Sequence, residues 1–178
     1  AIVPLSGGGN VHLLKAETTG PSVSKLVPKV KSTALILYAI YITLTVIQII
    51  LLLCGGLDLF SSLTLSFGTA GTGGFSIKTD GFAGYSPYLQ WVVTVFMLLF
   101  SINFNAYFLL LCGKIKDAFN LEVRVFIGIV VAAILVITLN VYTTATELYS
   151  YTFNEALRYS AFSLASVIST TGFATANF

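Results

Sequence analysis

Residues 68–80 read Gly68-Thr-Ala-Gly-Thr-Gly-Gly-Phe75-Ser-Ile-Lys-Thr-Asp80 and lie between two long apolar runs. Glycine is too frequent here for a spanning helix, so the stretch must bend or line something. Just ahead, residues 58–70 predict a helix of about twelve residues capped by Asp58. At 1.5 Å per residue it is roughly 18 Å long, about half of a ~30 Å hydrocarbon core. It therefore reads as a re-entrant helix that runs to mid-membrane, followed by an extended return strand. Non-helical backbone at that depth leaves carbonyls unpaired, which is tolerated only where protein buries them or where they face water or ions. Thr72, Gly73, Gly74 and Phe75 are the candidate ion-coordinating strand.

The same design returns near the C-terminus. An offset of 98 that sets Phe75 on Phe173 also pairs Gly74 with Gly172, Thr72 with Thr170, Ser62 with Ser160 and Leu59 with Leu157. The acidic cap recurs one position out of register, as Asp58 against Glu155. Two such loops, each behind a short capped helix, indicate an internal repeat. The plainer reading is a pair of extracellular loops between transmembrane helices.

The 178 residues are 56% hydrophobic and 9% charged, with a mean hydropathy of +0.92. Soluble domains are about a quarter charged, so the fold class is an all-α integral membrane protein of repeated helix, re-entrant pore loop and helix units. A net charge of +2 is too small and scattered for a nucleic-acid surface. Cys54 and Cys112 have no His or Cys nearby for a metal site and read as small packing residues. His12 stands alone and reads as solvated.

Four segments follow along the chain. Residues 1–31 read as a cytoplasmic linker or interfacial segment. Residues 32–112 read as a complete pore repeat, 113–124 as a cytoplasmic loop, and 125–178 as a partial repeat of helix, pore helix and filter. The spans are predicted at Thr33 to Gly55, Gln90 to Leu111 and Val125 to Tyr142; the half-helices at Leu59 to Ala70 and Glu155 to Val167. The polar side chains Thr43, Thr45 and Gln48 read as helix contacts, and Asn103 and Asn105 as interhelical hydrogen-bonding groups in the second span. Lys15, Lys25, Lys29, Lys31, Lys114, Lys116 and Arg124 lie on one face, against Lys78 and Arg158 on the other. That asymmetry marks the first face as cytoplasmic, and both loops then enter from outside.

Stacked backbone carbonyls supply the close oxygen dipoles that a dehydrated alkali cation needs, without fixed charge. The candidate filter is thus the backbone of Thr72, Gly73, Gly74 and Phe75 with that of Thr170, Thr171, Gly172 and Phe173, and an alkali cation is its metal. The negative C-terminal ends of the half-helices would favour a cation there. Asp58 and Glu155 read as caps rather than ligands.

The runs His12-Leu-Leu-Lys-Ala-Glu-Thr-Thr-Gly-Pro21, Gly71-Thr-Gly-Gly-Phe-Ser76 and Ser169-Thr-Thr-Gly-Phe-Ala-Thr175 resemble the Trk/Ktr/HKT superfamily of potassium transporters, most of all the bacterial Trk-type membrane subunit. The resemblance implies four repeats around one pore, like the repeats of a potassium-channel pore, with one filter glycine each. Gly74 and Gly172 fall on that glycine in the second repeat and in part of the third, and Lys15-Ala-Glu17 falls on the cytoplasmic linker. It implies potassium as substrate, no cofactor in this chain, and a bacterial inner membrane. The expected partners are membrane lipid, the remaining repeats of the pore and a cytosolic nucleotide-binding regulatory subunit; a homodimer is open. On this reading the sequence is a piece of a longer protein, or further copies or chains complete the pore.

Two other functions compete with uptake through a pore. One is a secondary transporter with a broken-helix ion site, although no Asp, Glu, Lys or Arg lies in any of the three predicted spans. The other is a non-conducting assembly subunit. An enzyme is weakest, because GTGGF follows a helix and lacks the strand and the Lys-Ser/Thr that phosphate-binding loops need. Topology is open to direct test. With Cys54 and Cys112 replaced, thiols introduced at Lys78 and Lys116 should react with an impermeant reagent from opposite sides of the membrane, and labelling from one side would refute the topology.

Overall fold

The computed structural model describes residues 30–143 and 152–175. Nearly all of the expected linker (1–31, including His12 and Lys15 to Glu17), the 144–151 connection and residues 176–178 lie outside the described residues. Among the described residues seven helices run in order: α1 (Val30–Cys54), α2 (Leu59–Ala70), α3 (Pro87–Ser101), α4 (Phe104–Leu111), α5 (Ile115–Ala118), α6 (Leu121–Thr143) and α7 (Phe153–Ile168). The described residues form no strand.

Helices α1 and α6 carry long uncharged runs and are long and apolar enough to cross a membrane. The protein is an integral membrane protein. α1 stops at the Gly55-Gly56 pair, where Gly56 takes φ +87°. There the Gly56 and Leu57 N–H groups donate back to the carbonyls of Leu53 and Leu52, the cross-bonded C-terminus that a left-handed residue permits. α2 has the expected bounds and is 12 residues long, too short to cross. α6 begins four residues before the expected Val125 and α7 two before the expected Glu155.

The second span departs from expectation. Instead of one helix over Gln90 to Leu111, α3 and α4 meet at a bend of 88°. The cause is local competition for backbone groups. The Asn103 side chain caps α4 by accepting from the Asn105 N–H at 3.0 Å, and Ile102 is extended. The Ser101 hydroxyl bonds back to Met97 O. Across the break the Tyr107 hydroxyl donates to Leu99 O at 2.7 Å, and Asn103 Nδ2 donates to Glu122 Oε1 of α6 at 3.4 Å. Only that last bond is the interhelical contact expected of Asn103.

Other polar groups meet mixed outcomes. Thr45 and Gln48 are buried, as a helix contact requires, and the hydroxyls of Thr43 and Thr45 bond to their own helix. Cys54 and Cys112 are exposed free thiols, not packing residues. Each sits at a helix end, where few neighbours surround it.

The core lies where α1, α2, α3 and α7 converge. Leu52, Leu65, Phe82, Val93, Met97 and Phe162 are almost fully buried there. Phe82 belongs to the loop before α3, and its ring packs on Tyr85, Phe162 and Phe173 with centroids 4.8 to 5.2 Å apart. Gln90 holds that loop in place. Its buried Nε2 donates to Phe82 O at 2.9 Å and to Tyr85 O at 3.2 Å. Replacing Gln90 by Leu leaves two carbonyls without their donor, which costs about 1–3 kcal/mol. The thermal midpoint in detergent should fall accordingly; an unchanged midpoint would mean that the loop is held by packing alone.

Candidate functional site

Both half-helices end in the same three closing hydrogen bonds. After α2, the N–H groups of Gly71, Thr72 and Gly73 donate to the carbonyls of Phe67, Thr69 and Gly68. After α7, those of Ser169, Thr170 and Thr171 donate to Ala165, Val167 and Ser166. Each donor and each acceptor of the first set matches one of the second at the offset of 98. Such cross-bonded termini need a left-handed residue just past the cap, normally glycine. Here threonine occupies it twice, at φ +50° in Thr72 and +57° in Thr170. A β-branched residue at positive φ is strained by about 1–3 kcal/mol and marks a functional site more often than a folding requirement.

Two residues further, Gly74 and Gly172 are again left-handed, at φ +67° and +83°. Gly73 and Thr171, between them, are not. In a β-strand successive peptide planes alternate sides; a change in the sign of φ at every second residue breaks that alternation and lets neighbouring carbonyls share a side. The loops also touch. A Cβ on Gly74 would overlap the carbonyl oxygen of Thr171, whereas one on Gly172 would meet nothing within 4 Å. Together they open onto a cleft of about 440 Å³, lined by Gly74, Phe75, Ser76, Gly172, Phe173 and Ala174 and by residues 78 to 81.

The two loops differ in how firmly they are tied. In the second, the buried Ser166 hydroxyl donates to Phe173 O at 2.7 Å, which leaves that carbonyl one lone pair. The Thr171 and Ser169 hydroxyls lie 2.6 Å apart, and the Thr170 hydroxyl donates to Ser169 O at 2.6 Å. The first loop is largely exposed, with Phe75 at 78% against 4% for Phe173. Sequence reading missed Ser166 and Gln90, since a single polar residue in an apolar helix carries no periodic signal.

At the rim, Lys78 stands with its ammonium 4.4 Å from the Tyr85 ring centroid and 3.4 Å from Gly84 O, to which it donates. Asp80 accepts from the Thr79 hydroxyl at 3.0 Å. The acidic residues at the outer helix ends are caps of two kinds. Asp58 is the N-cap of α2 and accepts from Ser61 N at 3.0 Å. Glu155 is not an N-cap. It lies inside α7 and reaches back to the N–H and hydroxyl of Thr152 at 3.0 and 2.8 Å, because α7 starts further upstream than the repeat register implies. Those hydrogen bonds, from Ser61 and from Thr152, hold each carboxyl below its ordinary range.

An apolar bundle with two matched re-entrant-type loops facing one cleft defines a class, that of integral membrane proteins with pore-type loop repeats. Within it, the chain is a relative of the Trk-type membrane subunits, similar to them along nearly its whole length. It is 34% identical to the Trk system potassium uptake protein TrkH of Escherichia coli strain K12, over 98% of this chain and 36% of that protein. It is 31% identical to TrkH of Halomonas elongata, over the full chain and 37% of the relative. The crystal structure of the potassium transporter TrkH from Vibrio parahaemolyticus matches with a TM-score of 0.76 at 26% identity, over 86% of this chain and 33% of that one. The chain thus spans about a third of the length of the relatives it matches. No family model matches it. The superfamily resemblance carried by the loop motifs is borne out by sequence and by fold, and the relatives are transport proteins, not enzymes.

If the two carboxylates only cap, replacing Asp58 by Asn and Glu155 by Gln should leave ion selectivity in the complete protein unchanged. Both folded-state values are lowered, so the carboxylate contribution is present above the ordinary carboxylate range and is lost as pH falls through and below it. Helix content of the wild type should drop in that acid window and that of the double variant should not. Loss of selectivity in either single variant would make that residue an ion ligand.

Proposed function

We propose that this chain supplies two of the selectivity loops of a pore that takes up potassium across a bacterial inner membrane. The observation that carries the reading is the matched backbone signature, with left-handed residues at 72 and 74 and again at 170 and 172 and the same three closing hydrogen bonds before each pair. Two strained threonines kept in register imply that the loops serve something other than chain reversal. Carbonyls of Thr72 to Phe75 and Thr170 to Phe173 would replace water around the ion, and the C-termini of α2 and α7 add negative dipole ends beside them. The loops enter from the outer face, in keeping with the basic residues concentrated on the other.

Membrane lipid surrounds the bundle, and the remaining filter strands come from other repeats of the same protein. Resemblance adds a cytosolic nucleotide-binding regulatory subunit as partner and leaves a homodimer open. The 88° break between α3 and α4 favours a second reading, an ion site between broken helices, with Glu122 as the carboxylate beside the break. A non-conducting assembly subunit is the third.

Rubidium and sodium uptake by the complete protein, in cells lacking other potassium uptake, separates these readings. Wild type should take up rubidium in preference to sodium. Gly172→Ser, with open space for its side chain but a left-handed backbone, should lose discrimination at normal expression. Gly74→Ser must also push the Thr171 carbonyl away, so it should lose both discrimination and expression. Gly84→Ser, where an added Cβ meets only ordinary contacts, is the control and should behave as wild type. Retained selectivity in all three would refute the filter. A change in Glu122→Gln alone would favour the broken-helix site, and uptake of neither ion by the wild type the assembly subunit.

A further inference from the structure

Three buried hydroxyls stand behind the second loop, and at each matched position of the first loop there is glycine. Ser166, Ser169 and Thr171 are 3 to 6% exposed, and their mates at the offset of 98 are Gly68, Gly71 and Gly73. The three hydroxyls are joined to the loop and to one another. Ser166 Oγ donates to Phe173 O at 2.7 Å, Ser169 Oγ donates to Ser166 O at 3.3 Å, and Thr171 Oγ1 lies 2.6 Å from Ser169 Oγ. Buried hydrogen bonds in such a chain polarise one another and fix the groups they join. The Phe173 carbonyl is therefore held from behind, by a residue of its own half-helix.

The carbonyl of Phe75 stands in the same relation to α2 but lacks that donor. It lies 3.5 Å from where a Cβ on Gly68 would stand, so a serine there would bring its hydroxyl to about 2.7 Å, an ordinary O–H···O distance. Glycine brings nothing. Among the described residues no N–H or O–H donates to Phe75 O. Gly73 and Gly74 lead into that carbonyl with a backbone freedom that the β-branched Thr171 denies the other strand. The peptide unit after Phe75 can turn where the one after Phe173 is tied.

We propose that Ser166 is a positioning residue for ion discrimination: its hydroxyl fixes the Phe173 carbonyl against closing on a small cation, while glycine at 68 leaves the Phe75 carbonyl free to follow the ion. The inference rests on the reading of the loops as a filter. Sodium is smaller than potassium or rubidium, so it is well coordinated only by oxygens that move inward, and a carbonyl tied to a helix resists that movement. Discrimination by size then comes more from the second loop than from the first. Removing the hydroxyl at 166 blunts it, and adding one at 68 sharpens it. A residue that only stabilised the fold would give no such opposed pair.

Uptake by the complete protein, in cells lacking other potassium uptake, gives the rubidium KM, the maximal rate and the sodium inhibition constant. The readout is the ratio of the sodium inhibition constant to the rubidium KM, at equal amounts of protein in the membrane. Ser166→Ala should lower that ratio about two- to tenfold, the weight of one neutral hydrogen bond, with little change in maximal rate. Ser166→Thr, which keeps the hydroxyl, should stay at the wild-type ratio. Gly68→Ser should raise it. Gly68→Ala, whose Cβ meets the Phe173 ring at the same 3.3 Å but brings no hydroxyl, should not. An unchanged ratio in Ser166→Ala or in Gly68→Ser overturns the proposal, as does a rise in Gly68→Ala equal to that in Gly68→Ser. If Ser166→Ala does not reach the membrane, the Gly68 pair decides alone. Lost discrimination in Gly172→Ser beside an unchanged ratio in Ser166→Ala leaves the filter standing and removes Ser166 from it. Wild-type discrimination in both Gly74→Ser and Gly172→Ser refutes the filter and the proposal with it.

Discussion

Backbone polar groups in hydrocarbon must find partners, and the rest of this structure depends on how that constraint is met where α2 and α7 stop short. Each helix closes its own end with three return hydrogen bonds, which use up the N–H groups of the first three residues beyond it. The return segments beyond both helices then lie side by side and line one cleft.

The fixed position of the loops depends on the joint around Phe82. Its ring holds Phe173 and Phe162, its N–H holds Ala174, and its carbonyl is held by Gln90. Through one residue, the return segment of the first repeat, the start of α3, and the loop and half-helix of the second are locked together. Packing of α7 against α3 joins the same two repeats along the helices.

Much of this was legible in the sequence, for physical reasons. A glycine-rich run between apolar stretches has few structural solutions in a membrane, and a repeat at a fixed offset checks itself, so the bounds of α2 and the pairing of Thr72 with Thr170 and Gly74 with Gly172 came through. The break at Asn103 did not. Its signal is a single asparagine whose side chain prefers a cap to an interhelical bond, and hydropathy averages over it. Glu155 was legible as a capping group but not as one acting from inside the helix, because the choice between Thr152 and Glu155 is made by backbone geometry. The carbonyl tie from Ser166 leaves no trace in composition.

One further consequence concerns mechanics. Gly74 lies against the Thr171 peptide with no side chain between them, so the two loops meet as rigid plates, without the soft padding that rotatable groups provide. A change in the width of the cleft at this point therefore involves the backbones of both repeats.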